Sequence, residues 1–331
     1  MATKIGIVGA TGVVGGMFLS ILEEYKIDCE LKLFASSKSA GKKIRVFNKV
    51  HIVESLKDGC FEGLDFCLFS GGKEASVQHA RRAIKEGAVV IDNSSAFRMT
   101  EDVPLIIPEC NIELAYHSTL IANPNCSTTQ AVIPLKALFD AFGLLSVEYT
   151  TYQSVSGSGA QGVNDLIATR NGHTNSYYPH NISETVIPEI DVFVGDGYTL
   201  EEHKMINETK KILNLDIPIS ATCVRVPIER GHVVQMKVVL NKVTTVDEVK
   251  EVLSKYPGLV LVDNPGNHEY PTTVMARDND LVYVGRIRKD KVTKNAFLIY
   301  TASDNLRKGA ASNTIQIMQR IMEWRTINES S

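Results

Sequence analysis

The sequence predicts an α/β protein of two domains: a doubly wound parallel sheet, then an α+β domain on a mostly antiparallel sheet. Length is the first observation, since 331 residues exceed the ~150 of one ordinary domain. The second is the first stretch of the chain, to about residue 120. It alternates short apolar strands with helical segments, at spacings that imply right-handed crossovers. The third is a change of character after residue 145, where longer β-type runs begin.

Residues 4–9 (KIGIVG) read as a buried strand and 13–25 as a helix. A strand fits 31–35 (LKLFA), and the polar, basic stretch SSKSAGKK at 36–43 reads as a loop. Then come a strand at 64–69, a helix at 74–86 and a strand at 88–92. Another strand at 120–122 runs into Pro124, which ends it. The sequence ANPNCSTTQ at 122–130 leads into a helical pattern that lasts through Phe142. Beyond it, strands are expected at 147–155, 217–226, 233–243, 281–288 and 296–302, with helices near 160–170, 199–213 and 246–255. Residues 171–198, rich in Asn, Tyr, Pro and Gly, read as an irregular excursion. A last helix at 307–325 has Ala310, Ile315, Ile317, Met318, Ile321 and Met322 near one face. It is expected to pack back on the first domain. The expected domains are therefore residues 1–124 with 306–331, and 125–305.

Apolar residues make up 44% of the chain and charged residues 22%, enough to build real cores. The net charge of −3 argues against nucleic acid or an anionic membrane as the main partner. It leaves small anionic substrates open. No run of 18 apolar residues occurs. Glycines punctuate the apolar N-terminal stretch, so it does not read as a signal peptide. Six cysteines are too few for a disulfide scaffold. None forms a CxxC pair or a Cys/His cluster of zinc spacing, so no metal is expected. A cytoplasmic setting fits.

The first strand ends in Gly9-Ala10-Thr11-Gly12-Val13-Val14-Gly15, a GxxGxxG variant of the dinucleotide fingerprint. Glycines permit the tight turn and let the backbone approach a pyrophosphate seated on the helix N-terminus. Its position between strand and helix supports a Rossmann-type domain, although a tight βα turn without a ligand would read alike. An NAD site usually has a carboxylate ending the second strand. Here that place holds Ser36-Ser37-Lys38-Ser39, hydroxyls and a cation suited to a 2′-phosphate, which favours NADP. Asp28 and Glu30 precede the strand end. The competing reading of 36–43 is a solvated basic loop.

Cys126 falls at the start of a helix with Asn125 as candidate cap. Unsatisfied N–H groups and the helix dipole favour a thiolate there, the nucleophile of covalent acyl chemistry. An inert cysteine in a turn fits equally well. Of the eight histidines, His232 stands apart, presented by RVPIERGH between two strong strands. Its ordinary pKa suits proton transfer near neutrality; a plain turn histidine is the alternative.

These motifs together resemble the aspartate-semialdehyde dehydrogenase family, closest to its Gram-positive-bacterial type. The resemblance runs over nearly the whole chain: GATGVVG at 9–15, SSKSAG at 36–41, DNSSAFR at 92–98, PNCST at 124–128 and TYQSVSGSGAQG at 151–162. It continues through EEHKM at 201–205, RVPIERGH at 225–232, GRIRKD at 285–290 and SDNLRKGAA at 303–311. It implies a Rossmann domain, an α+β catalytic and dimerisation domain, NADPH as cofactor, a homodimer and a place in amino-acid biosynthesis. The implied reaction reduces 4-phospho-L-aspartate to L-aspartate 4-semialdehyde with release of phosphate.

By this resemblance Cys126 is the nucleophile, His232 the acid/base and Gln153 the residue that orients the intermediate. Arg98 and Lys204 meet the phosphate with Asn125 nearby, Arg225 meets the α-carboxylate and Glu201 takes the ammonium. Guanidinium groups suit such oxyanions. Glu201 and Lys204 share a helix face at i and i+3, which without the resemblance reads as a surface ion pair. Ser70, Gly71, Gly157 and Asn305 are further cofactor candidates beside Gly9, Thr11, Gly12, Val13, Gly15 and Ser36–Ser39. A related reading is N-acetyl-γ-glutamyl-phosphate reductase, which typically has a Gly-Cys-Tyr nucleophile motif where this chain has NPNCSTTQ. A non-catalytic nucleotide-binding relative is the third reading, but Cys126, Gln153, Arg225 and His232 are all present.

Overall fold

The computed structural model describes residues 2–329. The chain divides into two compact units. One runs up to Pro124 and resumes at Ala310; the other is Asn125–Gly309.

The first unit opens with β1 (Thr3–Val8), α1 (Val13–Glu24), β2 (Cys29–Ala35), β3 (Lys43–Val46) and β4 (Lys49–Ser55). It continues with β5 (Phe66–Phe69), α2 (Lys73–Lys85), β6 (Val89–Asp92), α3 (Pro108–Asn111) and β7 (Leu120–Ala122). The strands form one sheet in the order β3-β4-β2-β1-β5-β6-β7. All neighbours are parallel except β3 and β4. Central strands buried on both faces need continuous apolar runs, which is why Phe66–Phe69 is buried throughout. The β3–β4 hairpin is not foreseen by the sequence reading, which has only a basic loop to residue 43. Lys43 and Arg45 point to solvent on an edge strand. The two-residue turn uses Phe47 and Asn48 at φ 51° and 56°. Both values suit a type I′ turn, but no Asn-Gly or Asp-Gly pair advertises it.

The second unit starts with α4 (Cys126–Phe142), β8 (Leu144–Gln153), α5 (Gly159–Arg170), α6 (Leu200–Leu213) and β9 (Ile219–Arg225). It ends with β10 (His232–Leu240), α7 (Val246–Lys255), β11 (Leu259–Leu261), β12 (Val282–Lys289) and β13 (Ala296–Ser303). Its sheet has the order β11-β12-β13-β10-β8-β9. The three inner pairings are antiparallel; the edge pairs β8–β9 and β11–β12 are parallel. One face is covered, with α4 against β10 and α6 against β9. On the other face Tyr152, Gln235, Leu298 and Tyr300 line a hollow of about 760 Å3.

The excursion at 171–198 is irregular but anchored. Asp165 of α5 accepts from the amides of Ser176 (2.6 Å), Tyr177 (3.2 Å) and Tyr178 (3.2 Å). Those bonds hold its carboxyl below the usual range, against the opposing effect of desolvation.

After β13 the chain makes a π-helical turn, Arg307–Ala311, before α8 (Ser312–Glu329). Asp304 shapes the turn, accepting from Leu306 N, Arg307 N and the Arg230 guanidinium. The expected single helix from 307 therefore begins with a wider turn. Ile315, Ile317, Met318 and Ile321 of α8 join Ile5, Ile7, Phe18 and Leu22 in the core of the first unit. No helix among the described residues is long and apolar enough to cross a membrane.

Candidate active site

In the first unit, β2 and β5 flank β1 on opposite sides, so the strand order reverses at β1. Ligands of doubly wound sheets bind at such a point, beyond the carboxyl ends of the strands. Gly9 lies there with φ +89°, and a Cβ on it would stand 2.6 Å from Gly71 N and 2.7 Å from the Ser70 carbonyl carbon. A Cβ on Gly15 would run into the Gly9 carbonyl. Gly12 is the N-cap of α1 and supplies no side chain to its amides. The turn thus presents backbone donors with no bulk in front of them, a cradle that fits a pyrophosphate. Thr11 and Val13 border it and are exposed. Ser70 continues the same strand end, its amide and hydroxyl both bonded to Val8 O. Beyond β2, Ser36, Ser37 and Lys38 are exposed and Ser39 half-buried, with no carboxylate among them. That chemistry fits a 2′-phosphate.

Arg98 belongs to the same unit. It is buried, with Nε donating to Asn123 O and Nη2 to Asn93 O, each at 2.9 Å.

In the second unit, Cys126 is the first residue of α4. Asn125 caps the helix, its Oδ1 accepting from Ser127 N (2.9 Å) and Thr128 N (3.2 Å). Two carboxylates of α6 hold the cap. Glu208 accepts from Asn125 N at 2.6 Å, and Glu201 from Asn125 Nδ2 at 2.8 Å. Glu201 also accepts from Gln153 Nε2 at 3.2 Å and Lys204 Nζ at 3.1 Å. Lys204 has a second partner, Asp191, at 2.7 Å. With Glu201 only 5% exposed, this is no ordinary surface pair. Burial works against its charge, but Lys204, Asn125 and Arg225 outweigh that and hold its carboxyl below the usual range. Lys204 is raised by the same carboxylates, against its own desolvation.

Gly309, in the π-helical turn, packs on the cysteine: a Cβ there would lie 2.7 Å from Cys126 Cβ. Arg225 donates from Nη1 to Ser154 O at 2.7 Å, while its Nε is buried without a partner. His232 is fully buried, its Nδ1 beside Ser154 and its Nε2 buried without a partner. Gly157 lies against both groups: a Cβ on it would stand 2.9 Å from Arg225 Nη1 and 3.2 Å from His232 Nε2.

One expectation is overturned. His232 does not titrate near neutrality. Burial, then the Arg225 charge, push it down to about 3. The sequence reading took an ordinary histidine pKa because burial is not written in local sequence. Asn305, expected at the cofactor, is buried and bonded to Ser156 and Gly231. Glu208, Asp191, Ser154 and Gly309 were not singled out. Only Glu208 carried a signal, seven residues from Glu201 on one face of α6.

Two family models cover most of the chain. "Semialdehyde dehydrogenase, NAD binding domain" matches residues 4–117 and "Semialdehyde dehydrogenase, dimerisation domain" residues 135–308. The aspartate-semialdehyde dehydrogenase of Aquifex aeolicus is 43% identical, over 98% of this chain and 99% of its own. The structure of aspartate semialdehyde dehydrogenase II from Vibrio cholerae, complexed with ASA, superposes with a TM-score of 0.93 at 37% identity, covering 98% of this chain and 99% of its own. The Candida albicans enzyme with NADP does so with a TM-score of 0.79 at 25% identity, covering 99% and 100%. Fold and family models together define a dinucleotide-dependent semialdehyde dehydrogenase. The chain belongs to the aspartate-semialdehyde dehydrogenase family.

Proposed function

We propose that this chain reduces 4-phospho-L-aspartate to L-aspartate 4-semialdehyde with NADPH, releasing phosphate, and runs the reverse oxidation. The observation that carries the site assignment is the pair of buried, unpartnered nitrogens, Arg225 Nε and His232 Nε2, in the unit whose capped helix begins with Cys126. Buried polar groups in native proteins are ordinarily bonded. Two orphans in one cluster are what a site prepared for an oxygen-rich ligand presents.

Cys126 attacks the acyl phosphate carbon; the C–O bond to phosphate breaks and a thioester forms. When bound, NADPH supplies the hydride that reduces the acyl carbon. His232 serves the adduct's oxygen as its acid/base. Gln153, fixed by Glu201, orients the intermediate. Arg225 takes the α-carboxylate. Glu201 takes the ammonium, having accepted three bonds where a carboxylate has about four lone-pair sites. Lys204 retains one proton beyond its two carboxylate partners for a phosphate oxygen. Arg98 and Asn125 are the other groups proposed near the phosphate. The glycine turn, Ser36–Ser39, Ser70, Gly71 and Gly157 hold the cofactor.

Residues 1–124 with 306–331 are proposed as the cofactor domain and 125–305 as the catalytic one. Two copies pair, and the half-exposed aromatic face of the second sheet is the surface that fits a second copy. A cytoplasmic location accords with six cysteines of which none is in a disulfide. The Gram-positive-type assignment rests on the motif resemblance alone, since curated relatives of similar identity come from varied bacteria.

The test is phosphate-dependent NADP reduction with aspartate semialdehyde. Cys126→Ala should lose turnover by roughly 10⁴-fold or more while NADPH fluorescence titrations stay within about twofold of wild type. Retained turnover would remove the nucleophile assignment. Preference for N-acetylglutamate semialdehyde would move the substrate assignment to the glutamyl enzyme.

A further inference from the structure

Lys204 is shared by two carboxylates in unlike surroundings. Its Nζ donates to Glu201 Oε2 at 3.1 Å and to Asp191 Oδ2 at 2.7 Å. The Glu201 side chain is 6% exposed and also accepts from Asn125 and Gln153. The Asp191 side chain is 34% exposed, and its other oxygen accepts from Val192 N at 2.9 Å. Glu201 is thus fixed in the interior, whereas the Asp191 carboxylate has water to turn to. A partly exposed pair of this kind is easily exchanged. Burial opposes the charge on Lys204, but Glu201 and Asp191 outweigh that and raise the ammonium above the ordinary lysine range. The cation stays charged, yet two negative groups share it.

Asp191 belongs to the irregular excursion, at a point that the backbone fixes from both sides. Ile187 N donates to Arg225 O at 2.9 Å and Arg225 N to Ile187 O at 2.8 Å, which pins the chain to the end of β9. Beyond Asp191 the chain doubles back. Leu200 N donates to Val192 O at 2.9 Å and Val194 N to Tyr198 O at 2.8 Å. Thr199 then caps α6. Asp191 itself has φ +68°, in the left-handed region that Asp and Asn enter more readily than other side chains. The excursion therefore ties the strand end that carries Arg225 to the helix that carries Glu201 and Lys204, and it delivers one carboxylate to the lysine.

We propose that Asp191 is a specificity-determining residue for phosphate: its carboxylate takes one of the three Lys204 protons and sets a like charge beside the phosphate, so that the anion is held loosely and leaves readily. This deepens the reading of Lys204 as a phosphate ligand and rests on it. An ammonium has three donors. Glu201 and Asp191 use two, so a phosphate oxygen meets one remaining proton on a nitrogen that already carries two carboxylates. Repulsion between like charges at such range is sizeable where water is partly excluded. The proposed reaction needs phosphate to depart once the thioester has formed and to enter in reverse. A phosphate paired with an uncontested cation would be slow to go, and product release limits many enzymes. Asp191 is the partner suited to contest it, because Glu201 is committed to Asn125 and Gln153 as well.

The test is the KM for inorganic phosphate in the oxidation of aspartate semialdehyde with NADP. Asp191→Asn keeps the left-handed conformation and an oxygen for Val192 N but removes the charge. Its KM for phosphate should fall about threefold or more, with KM for the aldehyde within about twofold of wild type. Inorganic phosphate should inhibit the reductive direction more strongly by the same factor. General disorder does not produce such a gain of affinity. Asp191→Glu retains the charge and should keep the phosphate constant within about twofold of wild type. An unchanged or raised KM in Asp191→Asn overturns the proposal, as does an equal fall in Asp191→Glu. Lys204→Gln tests the underlying reading separately, since its KM for phosphate should rise about tenfold or more. No rise would remove Lys204 from the phosphate and Asp191 with it. A rise alongside an unchanged Asp191→Asn would remove the role of Asp191 alone.

Discussion

In the proposed reading the first unit binds with backbone and the second reacts with side chains. In the glycine turn after β1 the decisive atoms are amides, and the requirement on sequence is the absence of Cβ atoms at Gly9 and Gly15. Around Cys126 the decisive atoms are side-chain nitrogens and oxygens on α4, α6, β8 and β10, and one carboxylate, Glu201, serves three of them. The first arrangement tolerates variation wherever the chain path survives. The second is a coupled network, where removing one member leaves a buried partner unsatisfied at about 1–3 kcal/mol. The two regions should therefore fail differently when altered.

Gly309→Ala sharpens this most. Its methyl would stand only 2.7 Å from Cys126 Cβ, so the turn or the start of α4 must move. A displacement of about 1 Å at a reacting group can cost roughly 10²-fold in rate. The variant should lose kcat on that scale and keep NADPH affinity, with thermal unfolding measured alongside. A kcat within threefold of wild type would show that the packing of Gly309 on the cysteine does not matter.

Lys38→Ala is the converse change, touching only the first unit. Losing one charge-assisted contact to a 2′-phosphate should weaken NADPH about tenfold, near 1.4 kcal/mol, and leave NADH unchanged. Equal weakening of both cofactors would place Lys38 elsewhere on the dinucleotide.

Legibility followed the same division. The glycine turn, the Asn125 cap and the alternation of strands and helices are local, so short windows of sequence carry them. The β3–β4 hairpin was local as well but hidden, since Phe47-Asn48 adopts a backbone usually marked by glycine. The Glu201 network joins residues 76 and 48 positions apart, and no periodicity encodes such a meeting. Only resemblance to a family singled those residues out beforehand. What resemblance did not supply was the state of His232, because a buried imidazole beside an arginine differs from the free side chain by its surroundings alone.

That state gives the smallest effect and the one most specific to the second unit. In the folded chain the ring titrates at about 3, whereas unfolded it returns to about 6.5. Between those values the unfolded state binds the extra proton and the native state does not. Stability therefore rises with pH across the window and falls as the solution is acidified from 6.5 toward 3. Glu201, whose folded carboxyl is lowered, adds loss of the same sign at the acid end. His232→Gln removes the first contribution and keeps the second. Between pH 6.5 and 4.5 its melting temperature should fall by less than that of wild type, while above pH 7 the two slopes should coincide. Parallel curves throughout the acid range would mean that the ring titrates alike in the native and unfolded chain.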